Sequence, residues 1–366
     1  MKVLSVLNSL KISDGGPPEV LRNQLSVINR KKKYVSILKL KTISVFYLLK
    51  CIFSKNYRLK LNTFLNKFDI LHFHELWTIK PILILFCSNK LGIKHFYVGH
   101  GYLDTWSINQ GFVKKKLFIK LFLQYAFNSA AASFFSTNEE YVEAKKNIKL
   151  HDTFIIPNGI NLELYKKRVL KEKIKKKIVF FGRIHKKKGL EILINAISKL
   201  PDDYFQQFSF DITGPGKRDD IVYFKSLIEK KKLFNKVKLN KPISRENKIK
   251  YLQKFDLFIL PSFEEGDSIA LKEALASYLP VIISEQCRMN IVKDYGAGLV
   301  TKTNSSDLYN CLIKLRNLNI MDMGYQARKL IEKEYDNSNC SNRLLKIYTD
   351  IYCGKRSSQD WINEKK

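Results

Sequence analysis

The sequence predicts an α/β protein made of two doubly wound, Rossmann-like domains facing across a cleft, and three observations carry that expectation. The chain has 366 residues, more than the roughly 100–200 typical of one domain. Short β-branched runs alternate with longer helical patterns along its whole length, the mark of parallel sheets joined by crossover helices. The alternation breaks once, at a Lys-dense segment, and then begins again. A hydrophobic content of 45% with 12% aromatics supplies two sizeable cores.

The first half offers strands at 3–7, 34–40, 69–73, 95–98, 132–136 and 153–156, with helical stretches at 18–29, 114–131 and 139–148. The opening MKVLSVLNSL carries one Lys and a short apolar run that breaks into polar residues, which suits a buried first strand better than a secretion signal. The longest apolar run, 81–87, is far shorter than the ~20 residues a membrane-crossing helix needs. These features point to a cytoplasmic chain, with attachment to the inner membrane face left open.

The segment 164–177, LYKKRVLKEKIKKK, lacks an apolar face and reads as a solvated linker. Beyond it the second set of strands falls at 178–181, 208–213, 237–239, 257–260 and 281–283, with helices at 189–200, 219–231, 245–254 and 269–277. The apolar spacing of Leu344, Leu345, Ile347, Tyr348, Ile351 and Tyr352 predicts a last helix that packs back on the body of the protein. The expected domains are therefore 1–165 and 166–337, with the helix at 338–354 returning to the first and a frayed tail at 355–366.

Composition narrows the function less. Sixty-five Lys and Arg against 34 Asp and Glu give a net charge of +31, a field that draws nucleic acid, an anionic membrane or phosphorylated substrates. AT-rich coding, which inflates Lys, Asn and Ile together, accounts equally well for the excess. A nucleic-acid-binding protein would show a zinc site, a helix-turn-helix or an aromatic-basic RNA motif, and none is legible. The six cysteines are scattered without a CxxC pair or a nearby His at zinc spacing, and read as reduced, packed thiols.

Chemistry concentrates at strand ends in the second half, where open α/β sheets place their ligand crevices. In FFGRIHKKKG, over 180–189, a strand ends at Gly182 and a helix starts near Gly189. Arg183 and Lys188 flank that corner, so two cations and free helix-start N–H groups can converge on a diphosphate. Alone, the same residues describe a lysine-rich surface turn. ITGPG, over 212–216, runs a strand into a glycine turn at Gly214, where backbone can approach a ligand; an ordinary turn fits as well. In PSFEEGDSIALKEALA, over 261–276, a buried strand meets a turn with Glu265, Gly266 and Asp267, and a helix starts near Ser268. Carboxylates such as Glu265 and Glu273 accept hydrogen bonds from sugar hydroxyls, and helix-start amides receive hydroxyl or phosphate oxygens. The plainer alternative is an acidic helix start with a surface Glu, although Glu273 sits among Leu271, Ala274 and Leu275.

These strings, in order and approximate spacing, resemble the second-domain motifs of glycosyltransferase family 4, retaining enzymes of the GT-B fold. The most specific match is a pair of Glu residues separated by seven, Glu265 and Glu273, followed by a Pro-Val strand. In the first half, Asp14, Gly15, Gly16 and Pro17 resemble the family's glycine loop. The segment DILHFHELW at 69–77 resembles its histidine-rich strand, and GHGYLD at 99–104 its HG segment. The strings STNE at 136–139 and PNG at 157–159 also match. Asp267 and Ser268 depart from the aromatic and second Gly common after the first Glu-Gly.

The resemblance implies a metal-independent retaining transfer from a nucleotide diphospho-sugar, which serves as donor substrate with no further cofactor. Arg183 and Lys188 would stabilise the departing diphosphate. Glu265 and the turn amides would hold the sugar, Glu273 the ribose, and His100 the sugar from the other domain; Gly15, Gly16, Gly182, Gly214, Gly266, Asp267 and Ser268 complete the expected donor contacts. No Asp-x-Asp motif is present. The basic-apolar stretch KKKLFIKLFLQY at 114–125 suits an anionic leaflet, although a buried helix with a basic start reads the same way. It suggests a lipid-linked saccharide acceptor in bacterial surface-polysaccharide assembly, such as O-antigen, capsule or lipopolysaccharide. The alternatives are a basic nucleic-acid-binding protein and a non-catalytic sugar-nucleotide-binding protein.

Overall fold

A computed structural model describes residues 1–10, 16–28, 35–109 and 111–355. The chain divides into two compact units, Met1–Gly159 with Asn337–Lys366, and Ile160–Asp336.

The first unit runs β1 (Val3–Leu7), α1 (Gly16–Ile28), β2 (Val35–Lys39), α2 (Val45–Phe53), α3 (Lys55–Leu65), β3 (Ile70–Phe73), α4 (Ile79–Ser88), β4 (Lys94–Val98), α5 (Thr105–Asn109), α6 (Phe112–Phe118), a π-helical stretch Ile119–Leu123, α7 (Gln124–Asn128), β5 (Ala132–Phe135), α8 (Asn138–Lys145) and β6 (Thr153–Ile155). Its six strands form one parallel sheet in the order β2-β1-β3-β4-β5-β6. Strands β1, β3 and β5 are buried at every position, as continuous apolar runs covered on both faces require. One face packs side chains of α2, α3, α4 and α7, including Leu48, Leu61, Ile84 and Phe127.

The second unit holds β7 (Lys176–Phe181), α9 (Leu190–Ile197), α10 (Tyr204–Gln207), β8 (Phe208–Thr213), α11 (Arg218–Lys230), β9 (Val237–Asn240), α12 (Arg245–Leu252), β10 (Leu257–Leu260), α13 (Ile269–Ala276), β11 (Val281–Ser284), α14 (Ile291–Asp294), β12 (Gly298–Thr301), α15 (Ser305–Lys314) and α16 (Ile320–Glu334). Its parallel sheet has the order β12-β11-β10-β7-β8-β9. The final helix, α17 (Asn337–Tyr352), belongs to the first unit, where Leu344, Leu345, Ile347 and Tyr348 join Phe96 and Phe134 on the sheet's second face.

In both sheets the first strand is an interior one, with later strands added on either side of it. The switch points therefore fall between β1 and β3 and between β7 and β10. An α/β sheet leaves its ligand crevice at the carboxyl ends of such a pair.

The Lys-dense segment keeps the solvated character expected of it, since none of residues 166–175 is buried. Residues 166–175 form no regular structure, but Leu170 N–H donates to the Tyr325 hydroxyl at 3.2 Å and Lys173 Nζ pairs with Asp256 at 2.6 Å. Arg168, Leu170, Lys171 and Lys173, with Tyr278 and Arg316, line a cavity of about 420 Å³. Long lysine stems pack on a surface while their ammonium groups stay in water, so a solvated segment is still anchored to the rest of its unit at Leu170 and Lys173.

Candidate functional site

The carboxyl ends of β7 and β10 carry the residues singled out from sequence. After β7, Gly182 N–H donates to the Thr213 carbonyl at 3.0 Å and Ile184 N–H to the Pro215 carbonyl at 2.7 Å, tying this turn to the one after β8. Gly214 has φ 157°, and a Cβ there would lie 1.7 Å from the Gly182 carbonyl oxygen. Gly214 thus lets two strand-end turns meet. A short 3₁₀ turn, Lys186–Lys188, then leads into α9 through Gly189, whose φ is 70° and whose Cβ would lie 1.8 Å from the Pro261 carbonyl oxygen. That close approach brings the β7 corner against the end of β10, and the Phe263 N–H and Ser262 hydroxyl both donate to the Lys187 carbonyl, at 2.9 and 3.0 Å.

The charges follow from this contact. Lys188 Nζ donates to both carboxylate oxygens of Glu265, at 2.6 and 2.8 Å, and Glu265 is buried. An ammonium has three N–H donors, so this pairing leaves a donor for a ligand oxygen. Lys187 Nζ lies 3.0 Å from Glu264, and Arg288 is 3.7 Å from the same carboxylate. Adjacent acids thus have separate partners, and Glu265 is the one on the corner lysine. Arg183 is exposed and forms no ion pair among the described residues.

Beyond Glu265 the turn continues through Gly266 to Ser268, which starts α13 without a side-chain capping bond. The first-turn N–H groups of a helix have no intrahelical acceptor, so α13 presents donors to an incoming anion or hydroxyl. The Asp267 carboxylate pairs with Lys272 Nζ at 2.6 Å, and both side chains are almost wholly buried. Glu273, also buried, pairs with Lys248 of α12. Sequence reasoning missed Lys248: α12 contains several lysines, and nothing in its spacing marks the one that reaches α13.

In the first unit, Gly15 lies outside the described residues, and Gly16 is the first residue of α1. His100 occupies the turn after β4 with φ 48°, a left-handed conformation unusual for a residue with a side chain. The turn is held by Glu140, a buried carboxylate that accepts from Gly101 N–H at 2.6 Å, Ser136 N–H at 2.8 Å and the Ser136 hydroxyl at 2.6 Å. Glu140 was also missed from sequence; a carboxylate in the first turn of a helix usually needs no explanation beyond the helix dipole. His74, following β3, lies 3.1 Å from His100 through Nδ1 and Nε2. Burial pushes His100 down to about 4 and His72 down to about 3, and His74 also lies well below the usual imidazole range. The cluster is neutral at physiological pH.

Two parallel sheets of this order, each of six strands with a switch point, make the GT-B fold. Residues 162–330 match the family model described as glycosyl transferases group 1, so the resemblance to glycosyltransferases read from sequence is shown. Among curated proteins, the chain is 26% identical over 318 residues to an uncharacterised glycosyltransferase of Methanocaldococcus jannaschii, covering 80% of this chain and 78% of that protein. It is 28% identical over 166 residues to a putative teichuronic acid biosynthesis glycosyltransferase of Bacillus subtilis, covering 43% and 39%. Among solved structures, sucrose-phosphate synthase from Thermosynechococcus elongatus superposes with a TM-score of 0.76 at 15% identity, covering 97% of this chain and 100% of that one. HepE of Anabaena, solved in complex with UDP-glucose, gives 0.74 at 17% identity, covering 96% and 100%.

Proposed function

We propose that the chain is a retaining, family 4-type glycosyltransferase that moves a sugar from a nucleotide diphospho-sugar to a lipid-linked saccharide in bacterial surface-polysaccharide assembly. The observation that carries this reading is the corner at the β7–β10 switch point, where Lys188 is already fixed on Glu265 and Arg183 stands exposed beside it. The UDP-glucose complex of the similar HepE fold and the teichuronic acid relative support the donor and polymer classes.

In this reading Arg183 and Lys188 bind the diphosphate and stabilise the charge that grows on it as the bond to the anomeric carbon breaks. The acceptor hydroxyl oxygen bonds to that carbon on the face the diphosphate leaves, and its proton passes to the departing phosphate oxygen. The proton and charge balance close without a metal ion. Glu265 and the amides at Gly266, Asp267 and Ser268 hold the sugar, Glu273 the ribose, and His100 contacts the sugar. Gly182 and Gly214 keep the backbone close to the donor.

Screening nucleotide diphospho-sugars by thermal shift tests the donor assignment. A true donor at 100 times its Kd raises stability by about 2.7 kcal/mol, and Arg183→Ala abolishes the shift. Absence of any shift across uridine, guanosine, adenosine, cytidine and thymidine diphospho-sugars would defeat the reading.

Membrane contact is the second part of the proposal. Phe46, Phe53, Val113, Leu117 and Leu121 are exposed on α2, α6 and the π-helical stretch. Phe86 of α4 stacks on Tyr125 of α7 at 5.1 Å, which links the two groups across α4, against which α2 packs. Lys50 lies over the Phe46 ring at 4.7 Å and Lys116 over the Phe112 ring at 4.2 Å. Apolar side chains interleaved with lysines suit an anionic leaflet. The protein is expected to float with vesicles containing phosphatidylglycerol but not with neutral ones, and Phe53→Ser with Leu117→Ser to reduce flotation several-fold. Equal recovery with neutral and anionic vesicles, or none at physiological salt, would remove this part alone.

A further inference from the structure

The histidines at the carboxyl end of β3 have no role in the chemistry above, yet their arrangement is specific. His72 and His74 are both almost fully buried, with ring centroids 4.3 Å apart. His72 Nδ1 is hydrogen-bonded to the Tyr348 hydroxyl of α17. His74 Nδ1 meets His100 Nε2 at 3.1 Å, with the two rings stacked at 5.4 Å. The Nε2 atoms of both His72 and His74 are buried and meet no partner.

That last fact argues against a purely structural role for His74. A buried polar nitrogen without a partner costs free energy that a phenyl ring of similar size would not incur. Packing alone therefore favours Phe at this position. What imidazole provides and phenyl cannot is the bond to His100.

We propose that His74 is a positioning residue that fixes the ring orientation and tautomer of His100, so that His100 presents Nδ1–H as a donor to the substrate. The inference rests on the reading of His100 given above. The tautomer follows from the orphaned nitrogen. In a neutral imidazole one nitrogen carries the proton and the other a lone pair, and an unmet buried N–H is rarer than an unmet acceptor. The lone pair of His74 therefore sits on Nε2 and its proton on Nδ1, donating to His100 Nε2. His100 must then carry its own proton on Nδ1. The hydrogen bond at one ring nitrogen sets what the other can do. The backbone of the same turn is held separately by Glu140, so the side-chain bond governs the ring without being needed to form the turn.

The test combines turnover with imidazole nitrogen NMR on the full chain. His74→Phe is expected to lower kcat roughly ten- to a hundredfold with little change in donor KM, and to release His100 from a single Nδ1–H tautomer to a mixture. His74→Asn, whose amide nitrogen can stand where Nδ1 stood, restores most of kcat. Two results overturn the inference alone: wild-type kcat in His74→Phe while His100→Ala is inactive, or an Nε2–H tautomer of His100 in the unmodified protein. Wild-type turnover in His100→Ala overturns the reading of His100 and the inference together.

Discussion

Arg183→Ala is expected to lower turnover on a nucleotide diphospho-sugar about 100- to 1,000-fold, the loss seen when one preorganised donor to a developing negative charge is removed. Its stability should stay within ~0.5 kcal/mol of the parent, as for a surface substitution, because Arg183 is exposed and forms no ion pair among the described residues. Lys188→Ala should lose as much activity but behave differently in denaturation. Lys188 holds the buried Glu265 carboxylate through two bonds, and stripping a charged partner from a buried group costs about 1–3 kcal/mol. The contrast separates chemistry from folding: equal kinetic losses with unequal stability are expected. Near-parental kcat in both variants, measured on a donor that stabilises the protein, would defeat the assignment of the two cations.

The fold was legible because parallel strands buried on both faces read as short apolar runs, and those runs recur along the chain. Val3–Leu7 and Leu257–Leu260 fall where the pattern put them. The reading faltered where that contrast weakens. The edge strand β12, Gly298–Thr301, is only partly buried and carries no strong apolar run. Helices α2 and α3 expose Phe46, Phe53 and Leu59 while burying Leu48 and Leu61, so apolar residues appear on both faces and blur the helical period. The placement of the candidate residues was legible where glycine and charge mark a strand end, as at Gly182 to Lys188. The supporting partners were not. Lys248 reaches Glu273, and Glu140 the turn that carries His100, from helices whose own sequence gives no hint of it, because tertiary pairing depends on which helix faces lie together, and one chain read in order does not show that.

The turn from Glu265 to Ser268 is fixed at both ends by such pairing, and this gives the largest stability effect expected. At one end Glu265 sits on Lys188; at the other the Asp267 carboxylate meets Lys272 at 2.6 Å, with the lysine fully buried and its ammonium 4.2 Å from the Tyr335 ring. Removing one member of a buried pair strands the other charge and costs about 3–5 kcal/mol. Lys272→Met should therefore lose about that much. For a unit of this size each kcal/mol corresponds to roughly 2–4 °C in Tm. The loss comes from burying the Asp267 charge without its ammonium counter-charge more than from lost attraction, so adding Asp267→Asn should recover much of it. Function should separate from stability in the double variant. With the ionic tether gone, the α13 amides are less firmly placed, and donor binding should weaken even though the fold is restored. A Lys272→Met protein within 1 kcal/mol of the parent, or a double variant no more stable than the single one, would show that the pair does not hold this turn in the way its geometry implies.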